Sequence, residues 1–233
     1  MLTQVALAGA AAGAGYLAYH CYSPTSQLYG KTLAHAANPL HLALTYDDGP
    51  NDLHTERLLE VLARQEVKAT FFVIGRFVSA RPQIARAIVA AGHLLGNHTA
   101  SHPNLLLRSQ SQILSELSEG SKIILDVTGV QPRYFRPPFG ARRPAVLSVA
   151  RELGLLSVMW DTTCYDWRAI NADVVENNAR RRIDSDHSQG HIILLHDGGH
   201  TGLGADRSHT VTASERLIQR YKGTYEFRTV DQI

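Results

Sequence analysis

Cysteine is scarce in this 233-residue chain, which contains only Cys21 and Cys164. No framework of disulfides can therefore hold the fold. Charge of one sign is lacking too: 23 basic against 21 acidic residues give a net charge of +2. Nothing in that balance attracts nucleic acid, and the one basic cluster, Arg180-Arg181-Arg182, reads as the solvated face of a helix. Past residue 25 there is no low-complexity stretch and no internal repeat. With 44% hydrophobic and 19% charged residues, the chain is not of the disordered class, and its length suits one domain with a sizeable core. Cys164, between Asp161 and Asp166, reads as a small buried hydrophobe.

The N-terminus stands apart. Val5 to Tyr19 is an Ala/Gly-rich run without charge, followed by a polar stretch containing Ser and Pro. It is short for a membrane span, which needs roughly 17–25 residues. It also lacks the basic region that usually opens a signal peptide. We expect residues 1–22, with their apolar part at 2–19, to serve export or anchoring. Residues 23–40 are expected to form a polar linker with a short lead-in, and residues 41–233 the folded domain.

From residue 41 onward, apolar β-type runs alternate with helical patterns. Strands are expected at His41–Tyr46, Ala69–Ile74, Leu94–Asn97, Arg133–Arg136, Leu155–Trp160, His191–Leu195 and Tyr225–Thr229. Helices are expected near 53–65, 80–91, 109–127, 143–153, 171–183 and 212–222. Asn51 or Asp52 is placed to cap the first helix, Gly92 to close the second, and Thr212 with Glu215 to form a capping box before Gly223 ends the last. Such alternation predicts a parallel α/β architecture, either a barrel or an open sheet.

Polar residues collect where the expected strands end. Asp47 and Asp48 follow the first and are closed by Gly49-Pro50. His98 and His102 follow the third, Arg136 ends the fourth, Asp161 and Asp166 follow the fifth, and His196 ends the sixth. In parallel β/α folds these ends open on one face, so residues distant in sequence converge there. Two imidazoles four apart, on a helical turn, would share a face and supply two metal ligands, with an aspartate from elsewhere as the third. A second carboxylate off the metal is then free to take a proton from water. Arg136 is placed to pair with Asp47. His196 beside Asp166 suits a protonated acid for a leaving amine, and Trp167 offers an apolar wall. The Gly- and His-rich loop 197–211 is expected at the same face. Hydrolysis at a metal is the chemistry this set suggests.

The same residues resemble the polysaccharide deacetylase family with the NodB homology domain, carbohydrate esterase family 4. The resemblance spans about residues 40–230 and rests on five segments in order. These are Thr45-Tyr46-Asp47-Asp48-Gly49-Pro50, His98-Thr99-Ala100-Ser101-His102, Arg136-Pro137-Pro138-Phe139-Gly140, Asp166-Trp167 and Leu194-Leu195-His196. Tyr46 stands where phenylalanine is usual. The resemblance implies a single-domain α/β fold, a distorted (β/α) barrel of about seven parallel strands. It implies Asp47 as catalytic base, Asp48, His98 and His102 as ligands of one divalent ion (zinc, with cobalt or nickel as variants), and Arg136 as the group orienting Asp47. Asp166 would tune His196, the general acid. The Phe139 N–H would stabilise the oxyanion, while Leu194 and Trp167 would enclose the acetyl methyl. The implied reaction removes N-acetyl groups from N-acetylglucosamine in peptidoglycan or in chitin and chitooligosaccharides, by a secreted or cell-envelope monomer. The alternatives are an amidase acting on a small soluble amide and a glycan-binding module with a relic site.

Overall fold

The computed structural model describes residue 13 and residues 15–233; the expected export or anchoring segment lies largely outside the described residues. Residues 15–22 are helical. No helix among the described residues is long and apolar enough to cross a membrane.

The strands are β1 (His41–Gly49), β2 (Thr70–Val73), β3 (Leu94–Asn97), β4 (Tyr134–Phe135), β5 (Leu156–Ser157), β6 (Thr162–Thr163), β7 (His191–His196) and β8 (Glu226–Phe227). They pair in the order β5-β4-β3-β2-β1-β7-β6, with β8 also on the start of β1, and every pairing is parallel. The sheet curls into a half-barrel flanked by helices, the distorted (β/α) barrel expected. Where a complete barrel would place another β/α unit, the lead-in segment bridges instead: Leu33 pairs with Val158 and Ala36 with Gly190.

Strand parity decides what reaches the interior. On β1, Leu42, Leu44 and Tyr46 face the helices, and on β7 Ile193 and Leu195 do the same. Ala43, Ile192, Leu194 and Phe72 face inward, against Met159 and Trp160. Side chains alternate along a strand, so Asp47 follows Ala43 and Thr45 on the inner face, and His196 follows Ile192 and Leu194. Asp47 and His196 are also register partners across β1 and β7.

The helices are α1 (His54–Arg64), α2 (Gly75–Ala80), α3 (Pro82–Ala90), α4 (Gln110–Thr128), α5 (Pro144–Glu152), α6 (Ala172–Ile183) and α7 (Ser208–Tyr221). Ser109 and Gln112 form a reciprocal capping box at the start of α4, and Gly129 ends it at φ 75°. Gly92 closes α3 at φ 78°, as expected.

Two caps differ from expectation. Asn51 does not cap α1: its side chain donates to the carbonyls of Asp197 and Ala205, while Asp52 pairs with Arg81. The last helix begins at Ser208, four residues before the expected box, so Thr212 lies inside it and its hydroxyl donates back to the Ser208 carbonyl instead of capping. The short α2 and the two-residue β6 were not expected; neither is long enough to show a period.

Residues 23–40 are more than a linker. Arg142 is buried and has no carboxylate partner among the described residues; its guanidinium donates to the carbonyls of Ser23 (2.5 Å), Ser26 (2.8 Å), Pro24 (3.3 Å) and Gly140 (3.2 Å). Its own backbone N–H donates to the Cys21 carbonyl at 3.0 Å. Arg142→Ala would strand several of those carbonyls away from water. We expect a loss of about 2–4 kcal/mol in urea unfolding, together with rapid proteolysis within residues 20–30.

Candidate active site and metal centre

Two adjacent carboxylates cannot both point inward from a regular strand, and β1 is not regular at its end. Its register with β2 runs Asp47 to Phe72 and then Gly49 to Val73, so Asp48 is an extra, bulged residue. Asp48 adopts φ 70°, a left-handed conformation that returns its side chain to the face Asp47 already occupies. The close seat of the following turn requires glycine: a Cβ at Gly49 would overlap the Asp197 carboxylate.

His98 and His102 do converge, but on a loop and not on the helical turn expected. Thr99 and His102 have φ values of 69° and 66°. The loop is held by Asn97 Oδ1 accepting from the Thr99 N–H (2.6 Å), Thr99 Oγ1 accepting from the His102 N–H (2.9 Å), and Glu116 accepting from the Ser101 N–H (2.9 Å). Helix α4 passes so near that a Cβ at Gly120 would lie 2.8 Å from Asn97 Oδ1 and 2.9 Å from the Thr99 carbonyl carbon. Side-chain caps bend this loop where a helix would have used backbone bonds.

The Nε2 atoms of His102 and His98 lie 3.2 and 3.5 Å from Asp48 Oδ1. Asp48 Oδ1 is nonetheless buried without a hydrogen-bond partner among the described residues. The three atoms thus face a common point more than they bond one another. His98 commits Nδ1 to the Arg136 carbonyl at 2.7 Å, which leaves the Nε2 lone pair turned toward Asp48. Burial pushes the His102 imidazole down, toward the neutral form a ligand needs. Burial alone would raise the Asp48 carboxyl, but the imidazoles of His102, His200 and His98 hold it well below the ordinary range. A carboxylate with two imidazoles suits a borderline divalent ion, so the residues present fit a metal.

Asp47 is buried beside this cluster. Its Oδ1 accepts from Arg136 at 2.8 Å, while its Oδ2 stands 3.9 Å from His98 Nε2. Arg136 is fully buried and also donates to Thr45 Oγ1 (2.7 Å) and the Met159 carbonyl (2.9 Å), over the Phe72 ring at 4.2 Å. Burial draws its guanidinium below the ordinary value, and Asp47 opposes that.

Opposite, Asp166 accepts from His196 twice, at Nδ1 (2.8 Å) and at the backbone N–H (2.7 Å), and once from Thr210 (2.9 Å). Burial alone would push the His196 imidazole down. The Asp166 carboxylate, helped by Asp48 and Asp47, overrides this and raises it from 6.5 to about 9. Trp167 packs edge-on against His196 at 5.2 Å. Phe139, at φ 60°, forms the other wall, and Leu194 lies at the floor of a cleft of about 520 Å³.

Asp161 does not join. It binds His191 (2.5 Å) and the Ile192 N–H (2.8 Å) at the opposite end of β7, about 16 Å away at the usual rise of a strand. Two residues of the site escaped the sequence reading. Asp197, whose Oδ2 accepts from Thr55 at 2.5 Å, is raised by burial to about 7 beneath the Asp48-Gly49 turn. His200, in the loop expected at this face, stacks on His102 with ring centroids 4.7 Å apart. Its place in a Gly- and His-rich loop was the available signal for it.

The family model described as polysaccharide deacetylase matches residues 35–158. The chain belongs to the polysaccharide deacetylase family. It is 33% identical over 187 residues to a peptidoglycan-N-acetylglucosamine deacetylase of Bacillus cereus, a match covering 79% of this chain and 64% of that relative's length. It is 36% identical over 181 residues to a chitooligosaccharide deacetylase of Sinorhizobium fredii, covering 75% and 82%. A solved structure of a CE4 family pseudoenzyme from Bacillus anthracis superposes with a TM-score of 0.78 at 28% identity, covering 87% of this chain and 68% of that one. Fold likeness within the polysaccharide deacetylase family therefore does not by itself carry activity, and the side chains above must.

Proposed function

We propose that this family member is a metal-dependent hydrolase that removes N-acetyl groups from N-acetylglucosamine residues of a glycan, releasing acetate. The observation that carries this is Asp47: a buried carboxylate, one oxygen held by Arg136 and the other turned toward Asp48, His98 and His102, with His196 across the cleft.

Asp48, His98 and His102 would hold the ion, most simply zinc. When bound it supplies a Lewis acid that polarises the acetyl carbonyl and lowers the pKa of water. Arg136 holds Asp47 Oδ1 and so fixes the direction of the carboxylate, and Asp47 Oδ2 accepts the proton of the attacking water. The Phe139 N–H donates to the developing oxyanion. His196, protonated at Nδ1 toward Asp166 and at Nε2 toward the cleft, gives its Nε2 proton to the departing amine. Leu194 and Trp167 exclude water around the acetyl methyl and set its size.

We assign residues 41–233 to the catalytic domain and residues 1–22 to export or anchoring at the cell envelope. That placement favours peptidoglycan over chitin as the substrate. The full-length protein with its metal quantified should release acetate from peptidoglycan, and more slowly from chitooligosaccharides. Metal bound with no acetate from either would overturn the glycan assignment in favour of a small amide.

A further inference from the structure

His200 belongs to the rim loop between β7 and α7. Its ring lies nearly parallel to His102, at an interplanar angle of 20°, and edge-on to Phe139 at 5.3 Å. Whereas His98 and His102 address Asp48 Oδ1, His200 addresses the other oxygen: its Nδ1 is 3.8 Å from Oδ2. Ligand atoms of Asp48, His102 and His200 all fall within 4.8 Å of one another. Donors at about 2.0–2.2 Å from one zinc stand about 3.4 Å apart, so this group must close by up to about 1.4 Å, and His98, which does not belong to it, joins through its Nε2 at 3.5 Å from Asp48 Oδ1.

The loop is built to hold that position. The Arg76 guanidinium donates to the His200 carbonyl, and Arg207 Nε to the Gly198 carbonyl at 2.7 Å. On the far limb, Asn51 binds the Gly204 N–H (2.6 Å) and the Ala205 carbonyl (2.8 Å). A histidine in a mobile loop could stack on His102 by chance; one pinned on both limbs, with its Nδ1 toward a buried carboxylate, is placed.

We infer that His200 is a further protein ligand of the cation held by Asp48, His98 and His102, making a centre of one carboxylate and three imidazoles. The inference rests on the metal reading above. One carboxylate and three imidazoles would leave the ion fewer open positions for water and substrate than one carboxylate and two imidazoles.

Zinc K-edge absorption of the full-length zinc protein counts imidazoles by their multiple scattering. Three are expected in the native protein and two in His200→Ala and His200→Gln. Chelator competition should show zinc affinity falling about tenfold or more in both variants, with unchanged unfolding temperatures of the metal-free proteins. Zinc bound by two imidazoles in the native protein, with affinity unaltered by either substitution, overturns the role of His200 and spares the metal reading. A native protein that binds no zinc, cobalt or nickel overturns both.

Discussion

Asp47→Asn should lower kcat by about 10³-fold while leaving metal content and its affinity close to native. Asparagine keeps an oxygen for Arg136 but cannot accept the proton from water. The metal should stay, because Asp48, His98 and His102 are the residues that would hold it and Asp47 Oδ1 is committed to Arg136 at 2.8 Å. The substitution also leaves the fully buried Arg136 cation without a charged partner. A stability loss of about 3 kcal/mol should accompany the kinetic one, visible in urea unfolding and separable from it by assaying well below the unfolding temperature. Steady-state kinetics with metal analysis on the same sample checks both halves. Activity within tenfold of native would remove Asp47 as the base, and loss of metal in proportion would make it a ligand.

Asp166→Asn should move the alkaline limb of the rate profile to lower pH by at least about one unit. His196 is raised to about 9, so its protonated form is favoured and the acid it supplies is lost only as pH climbs through that value. Without that carboxylate, burial is opposed only by Asp48 and Asp47, and the imidazole falls back toward its ordinary 6.5. At pH 8 an imidazole of pKa 9 is about nine-tenths protonated and one of pKa 6.5 about 3%, a loss of up to about 30-fold. A cation at Asp48 would offset the contribution of Asp48 and Asp47, so in the loaded protein both limbs lie lower. The separation between the two proteins, set by Asp166, is the quantity to read in kcat against pH. An unmoved limb would take His196 out of the acid role.

Most of the barrel was legible because its signals are periodic. The outward Leu42-Leu44-Tyr46 and inward Ala43-Thr45-Asp47 alternation can be read from residue order, and it carries Asp47 to the interior. So can the length of α4, bounded by Ser109 and Gly129. The geometry of the metal loop was not. The four-residue spacing of His98 and His102 fits a helical turn, yet Asn97, Thr99 and Glu116 satisfy the loop's N–H groups and fold it otherwise. The bulge at Asp48 was also hidden, since it depends on register with β2, a property of two segments and not of one. Asp161 illustrates the converse. Its place just after the expected strand Leu155–Trp160 suggested the site, but Asp161 stands at the other end of β7, where it anchors His191. His200 and Asp197 lie in a loop without period, and only tertiary packing shows what they touch.

Everything proposed for this site turns on a cation at Asp48, His98 and His102 with Asp47 left uncoordinated. Crystals of the zinc-loaded protein, measured on both sides of the zinc edge, locate that ion directly. The expected result is one anomalous peak about 2.0–2.2 Å from an Asp48 oxygen and from Nε2 of His98 and His102, with both Asp47 oxygens beyond bonding distance. A peak bonded to Asp47, or no peak within reach of the two imidazoles, would contradict the account.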